Sequence, residues 1–209
     1  MSMVKNINTL PLDGGTLCFD FINTVNTRTK QFRVHEYLPD YQNFLLWCRK
    51  VEVVEKTKFT ELADYAQKHT TSTEKAFEKI KKTRETLYRL FSFIARDQTD
   101  KIPANVLKSF NADLQAAFSH LKFHITAHSL QQSWEPGKAP LLEPLWMVLK
   151  SANDVLVHKN YERIKECPAC GWLFLDQTKN NKRRWCSSST CGSIEKSKRY
   201  YRKKKKEIV

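Results

Sequence analysis

Glycine is scarce, at five of 209 residues. Gly14, Gly15, Gly137, Gly171 and Gly192 cannot assemble a P-loop or a Rossmann phosphate turn, which excludes the commonest nucleotide chemistries. Nor is there a nucleophile elbow or an H-E-x-x-H pair. No apolar run approaches the roughly eighteen residues that span a bilayer. Met1 to Pro11 lacks the basic start and apolar stretch of a secretion signal, so the expected location is a reducing cytoplasm. Acidic residues are also short: 22 Asp/Glu face 36 Lys/Arg, for a net charge of +14. That imbalance favours a polyanion as partner, nucleic acid ahead of an anionic membrane surface.

What the chain does contain is a core and a concentrated charge. Hydrophobic residues make up 41% and aromatics 11%, enough for one substantial domain and a small second module. Residues 161–209 hold 14 Lys/Arg against 5 Asp/Glu, a net of +9, whereas residues 1–160 carry only +5. The expected division is therefore 1–160 and 161–209, with the polyanion surface on the second part.

Apolar periodicity predicts helices over Pro39–Val54, Thr60–His69, Ser72–Asp97, Pro103–His120 and Leu141–His158, the third capped at Ser72. Between Leu121 and Trp134 the period falls to two, which predicts a β-hairpin ended by Pro136-Gly137. The run Leu17–Ile22 fits a strand or a helix equally. The fold class expected is α+β: a mostly helical N-terminal domain with a small hairpin, then a small four-cysteine module ending in a basic helix.

Cys167, Cys170, Cys186 and Cys191 read C-x2-C-x15-C-x4-C. Two short-spaced thiol pairs about fifteen residues apart are the sequence form of a tetrahedral structural zinc site. Four sulfurs fill the coordination sphere and leave no open position for catalysis. A redox-active pair with two bystanders is the competing reading. Trp172, Leu173, Phe174 and Leu175 supply a small apolar patch, and so small a unit is not expected to fold without its metal. Around the cysteines stand Lys182, Arg183 and Arg184, then Lys196, Lys198, Arg199 and Arg202, with lysines 203–206 behind them. On a helix starting near Cys191–Ser193, Lys196, Arg199 and Lys203 share one face, and Lys198 with Arg202 form a neighbouring stripe. Lysine there meets phosphate and arginine can also read guanine, although basic runs are often only solvated faces.

The stretch Cys167-Pro168-Ala169-Cys170-Gly171-Trp172-Leu173-Phe174-Leu175-Asp176, followed by Arg183-Arg184-Trp185-Cys186-Ser187 and Cys191-Gly192, resembles the CGNR zinc finger. Gly15-Thr16-Leu17-Cys18-Phe19-Asp20-Phe21-Ile22-Asn23-Thr24 resembles the start of the ABATE domain, which precedes that finger in a family of bacterial transcription regulators. The resemblance implies one zinc and DNA binding. Where the family's name has Asn-Arg, this chain has Ser193-Ile194, which puts in doubt any DNA contact made through that arginine.

No catalytic constellation emerges. His120, His124 and His128 would form a column on a helix, but on a strand His124 and His128 stand about 13 Å apart, too far for one ion. Asp20, Asn23 and Arg28 are the one polar cluster that could line a ligand pocket, with capping or a buried hydrogen-bonded pair as the plainer role. The expected function is a DNA-binding transcriptional regulator whose N-terminal domain senses a ligand or stress signal, with a small-molecule effector and a second copy of the chain as further partners. An RNA- or ribosome-associated protein, and a small-molecule enzyme with a structural finger, are the alternatives.

Overall fold

The computed structural model describes residues 6–30, 32–135, 137 and 139–207, with the backbone alone at 203 and 205–207. Pro136, expected to end the hairpin, lies outside the described residues, as do the side chains of lysines 203, 205 and 206 in the tail. Helices α1 (Leu17–Ile22), α2 (Tyr41–Lys50), α3 (Lys56–Lys68), α4 (Thr70–Ala95) and α5 (Ala104–Phe118) come first. A hairpin of β1 (Leu121–Ile125) and β2 (Leu130–Trp134) follows, then α6 (Glu143–His158). A second hairpin, β3 (Ile164–Glu166) and β4 (Leu173–Leu175), and the terminal helix α7 (Ser193–Glu207) complete the chain.

The α+β class expected from periodicity is the one observed, with α4 burying its predicted stripe while Leu107 in α5 and Val157 in α6, read as apolar-face residues, are exposed. In α4, Phe77, Ile80, Leu87, Leu90, Phe91 and Ile94 are all buried. The ambiguous run Leu17–Ile22 is a helix: Cys18 and Phe19, then Phe21 and Ile22, are buried in pairs three apart, which alternation in a strand would not allow. This short α1 is central, touching α4, α6 and β4. The expected cap at Ser72 is corrected, since α4 starts at Thr70 directly after His69. Thr73 lies inside the first turn, and its hydroxyl donates to the carbonyls of Ala66 and His69, both at 3.0 Å, tying α3 to α4. Local polar chemistry resembled a start signal, but continuing the helical ladder satisfies more backbone groups.

The first hairpin pairs Leu121 with Trp134 and Ile125 with Leu130. Its histidines are dispersed: His120 stacks on Trp146 at 4.2 Å, and His124 bonds the Ser133 hydroxyl at 2.7 Å.

The core is continuous. Trp172, Leu173, Phe174 and Leu175 belong to the same buried cluster as Phe19, Phe91 and Val148, so the apolar patch expected to serve the cysteine module alone is part of the main interior.

Candidate metal centre and the basic cleft beside it

Strands β3 and β4 pair antiparallel, Ile164 with Leu175 and Glu166 with Leu173, and the turn between them presents Cys167 and Cys170. The Cys167 N–H donates to the Trp172 carbonyl at 2.7 Å, and the Gly171 N–H donates to the Cys167 carbonyl at 2.8 Å. Gly171 has φ +75, and a Cβ there would lie 2.7 Å from the Arg28 Cβ. Only glycine accepts both that conformation and that approach. Cys186 and Cys191 arrive from an irregular segment and a wide helical turn, Ser188–Gly192, that leads into α7.

All four sulfurs are buried and lie within 4.8 Å of one another. Cys170 to Cys186 and Cys186 to Cys191 are each 3.6 Å. Zinc–sulfur bonds of about 2.3 Å give tetrahedral edges of about 3.8 Å, whereas a disulfide needs about 2.05 Å. The donors fit one tetrahedral zinc, and all six cysteines are free of disulfides. A divalent ion held there would stabilise all four crowded thiolates at once. Its role is structural.

The segment between α1 and α2 clasps this knuckle. The Asn23 amide donates to the Leu173 carbonyl at 2.8 Å and accepts from the Leu173 N–H at 3.1 Å. The Trp172 indole N–H donates to the Val25 carbonyl at 2.7 Å, and the Arg28 N–H donates to the Cys170 carbonyl at 2.7 Å. Asp20, Asn23 and Arg28, read as a candidate ligand pocket, are thus not brought together around a cavity. The Asp20 carboxylate accepts from the Gly14 N–H at 2.9 Å. The Arg28 guanidinium donates to the Ile22 carbonyl at 2.9 Å, pairs with Glu85 at 2.5 Å and lies 4.4 Å over the Tyr88 ring. Each joins one part of the interior to another.

Burial pushes the Asp20 carboxyl up to about 6, with the Gly14 N–H acting in the opposite direction. The folded state therefore holds a proton that the unfolded chain has lost, and stability falls as pH rises from about 4 to 6. Asp20→Asn, which keeps the acceptor for Gly14, is expected to add about 2 kcal/mol at pH 7 and to gain little at pH 4. Urea unfolding of both proteins at the two pH values measures this; an equal effect at both would disprove it.

Asp176 was quoted in the sequence only as part of a motif, yet it organises the loop after β4. It is fully buried and pairs with Lys165 at 2.7 Å. One oxygen also accepts from the Arg183 N–H, and the other from the Thr178 N–H and hydroxyl. Burial pushes its carboxyl up, but these donors outweigh burial and hold it well below the usual range.

The basic residues divide. Arg184, Lys196, Arg199 and Arg202 line one cleft of about 580 Å³ together with Trp185. Arg202 thus joins Lys196 and Arg199, not Lys198. Lys182 lies in an adjoining concavity of about 630 Å³ with Lys179. Lys198 is not among the residues lining the cleft; it pairs with Glu195 at 2.7 Å and approaches the Phe32 ring at 5.7 Å. Arg183, grouped with the others by charge, is a brace: it lies 4.6 Å over Phe174 and donates to the carbonyls of Asp13, Trp185 and Cys186.

A four-thiolate knuckle buried against a helical domain and continued by a basic helix defines a zinc-finger protein built in two sequence segments. Residues 15–159 match the ABATE family, described as "Putative stress-induced transcription regulator", and residues 163–204 match the CGNR zinc finger. The chain belongs to the ABATE family and carries a CGNR zinc finger at the end of the matched region. No curated protein matches it.

Proposed function

We propose that the protein is a DNA-binding transcriptional regulator of the cytoplasm, in which the zinc holds the basic cleft in shape and the helical domain receives a ligand or stress signal. The observation carrying this reading is the convergence of Arg184, Lys196, Arg199 and Arg202 on one cleft. The acid in that cleft, Glu195, is paired with Lys198. Trp185 contributes an apolar ring beneath the Arg184 guanidinium, 5.0 Å away, suited to packing on a sugar or base edge. Arg199 and Arg202 are exposed, with guanidinium groups able to meet phosphate or a guanine edge. Such a surface binds and does not transform, and the closed four-sulfur sphere offers a substrate no position on zinc; we read the protein as no enzyme. Among the described residues no helix is long and apolar enough to cross a membrane.

The test is fluorescence anisotropy with duplex DNA and with structured RNA at matched salt. Four to five neutralised phosphates give a log K against log salt slope of about −4. Arg199→Ala with Arg202→Ala is expected to flatten the slope by about 2 units and weaken binding more than tenfold. Zinc content should not change. Lys198→Ala should have a smaller effect, because that side chain is already committed to Glu195. A flat salt response would sink the DNA reading, and preference for RNA would replace it with an RNA-binding one.

A further inference from the structure

The basic cleft takes Lys196, Arg199 and Arg202 from α7, whereas a second groove meets the same helix at Ile194. Its walls are Phe32 and Tyr37 from the segment before α2, Trp172 from the knuckle and Ile194 from the first turn of α7, and it encloses about 500 Å³. Cys170, Cys186 and Cys191 border it, so it rests directly against the metal centre. We propose that this groove binds a neutral, planar aromatic small molecule.

The walls argue for that chemistry. Three aromatic side chains come from two distant parts of the chain, and Ile194, 39% exposed, is an apolar residue left in contact with solvent at the groove. The volume lies within the range of small-molecule sites. Tyr37 and Thr190, which also line the groove, carry uncharged hydroxyls, and two other directional polar groups are engaged. The Trp172 indole N–H is held by Val25, and the Asn26 side chain bonds the backbone of Arg33 and His35. Among the residues that line it stand one acid, Asp13, and one base, Arg33. With one charged side chain of each sign outside the metal centre, the groove offers mainly ring faces and apolar contact.

Its position supplies a route to the cleft. A molecule there would touch Phe32 and Ile194 together, joining the N-terminal segment to the helix that carries Lys196, Arg199 and Arg202. In this respect the proposal rests on the sensing half of the function proposed above, and gives it a site and a ligand class. Ile194 also stands where the finger's name has arginine. An arginine there would carry a charge into the groove, which an apolar ligand could not repay.

The experiment is a titration of the full, zinc-loaded chain with Nile red, a neutral planar dye, alongside the anionic dye 1-anilinonaphthalene-8-sulfonate. One saturable Nile red site per chain with blue-shifted emission is expected. Ile194→Arg should weaken it about tenfold or more, Phe32→Ala about threefold or more, and Arg199→Ala less than twofold. Zinc content and melting temperature are measured on each variant, and Phe32→Leu replaces Phe32→Ala if the latter melts early. Absence of a saturable site, or indifference to both groove substitutions, would overturn the proposal. Tighter binding of the anionic dye, strengthened by Ile194→Arg and lost in Ile194→Glu, would overturn the neutral class. DNA binding is measured on the same samples without dye. Dye binding without DNA binding would reject the DNA reading and leave the groove assigned, and DNA binding without dye binding would do the reverse.

Discussion

Cys186→Ser is expected to remove about one zinc per chain and to lower the melting temperature of the entire helical signal by more than about 10 °C. The sequence, with an apolar patch of its own beside the cysteines, suggests that losing the metal would unfold only the last fifty residues. The shared interior leads to a different result. Leu173 and Phe174 are fully buried in the same cluster as residues of α1, α4 and α6. The knuckle is also tied to the segment after α1 through Asn23, Val25, Thr27 and Arg28. Isolated zinc fingers draw about 10–16 kcal/mol of folding free energy from their metal. If about 5 kcal/mol of that is transmitted, a chain of this size melts about 10–20 °C lower. Helical circular dichroism recorded with zinc content decides the matter. Zinc loss with an unchanged helical transition would show that knuckle and helices unfold independently.

The helices were readable because their burial is periodic, and the period survives in a single sequence. The stripe Phe77, Ile80, Leu87, Leu90, Phe91 and Ile94 needs only the geometry of one helix to be recognised. The cysteine quartet was readable for a similar reason, since coordination chemistry limits both ligand type and spacing. What could not be read are contacts between distant parts of the chain. Asn23 and Leu173 are joined by two hydrogen bonds across 150 positions of sequence. Nothing local to Asn23 distinguishes an amide that clasps a strand from one that lines a pocket.

The basic residues show the same boundary at finer scale. Charge identified Lys182, Arg183 and Arg184 as a group, but along irregular, extended chain successive side chains face opposite ways. Lys182 and Arg184 are exposed, while Arg183 between them turns onto Phe174 and the Asp13 carbonyl. The pattern Leu175-Asp176 carried the one signal that could have pointed to this: a carboxylate directly after an apolar strand must find donors if the chain buries it. Which donors it finds depends on the loop closing back over it.

That carboxylate has the second large expected effect. Asp176→Asn should cost about 3–5 kcal/mol, because all of its bonds are accepted from donors: Lys165, the Arg183 N–H, and the Thr178 N–H and hydroxyl. An amide can satisfy one side of that arrangement and must turn its own N–H groups toward donors on the other. The partly buried Lys165 ammonium would then keep only the carbonyls of Asn181 and Arg183. The sign of the pH dependence follows from the lowered carboxyl of the folded state. Its stabilisation is complete above the unfolded value of about 4 and is lost as pH falls through the lower folded value. The gap between wild type and Asp176→Asn should therefore be constant from about pH 8 to pH 5 and close only in stronger acid. Denaturant unfolding at matched zinc content measures it, and a gap that widened in acid would refute the assignment. Because Asp176 fixes the Arg183 backbone, it also fixes the loop that delivers Lys182, Arg184 and Trp185 to the basic surface. A folded Asp176→Asn protein should keep its zinc yet bind DNA more weakly, with a salt slope shallower by about 1–2 units as those contacts lose their alignment. Unchanged DNA affinity in that variant would separate the buried carboxylate from the binding surface and confine its role to stability.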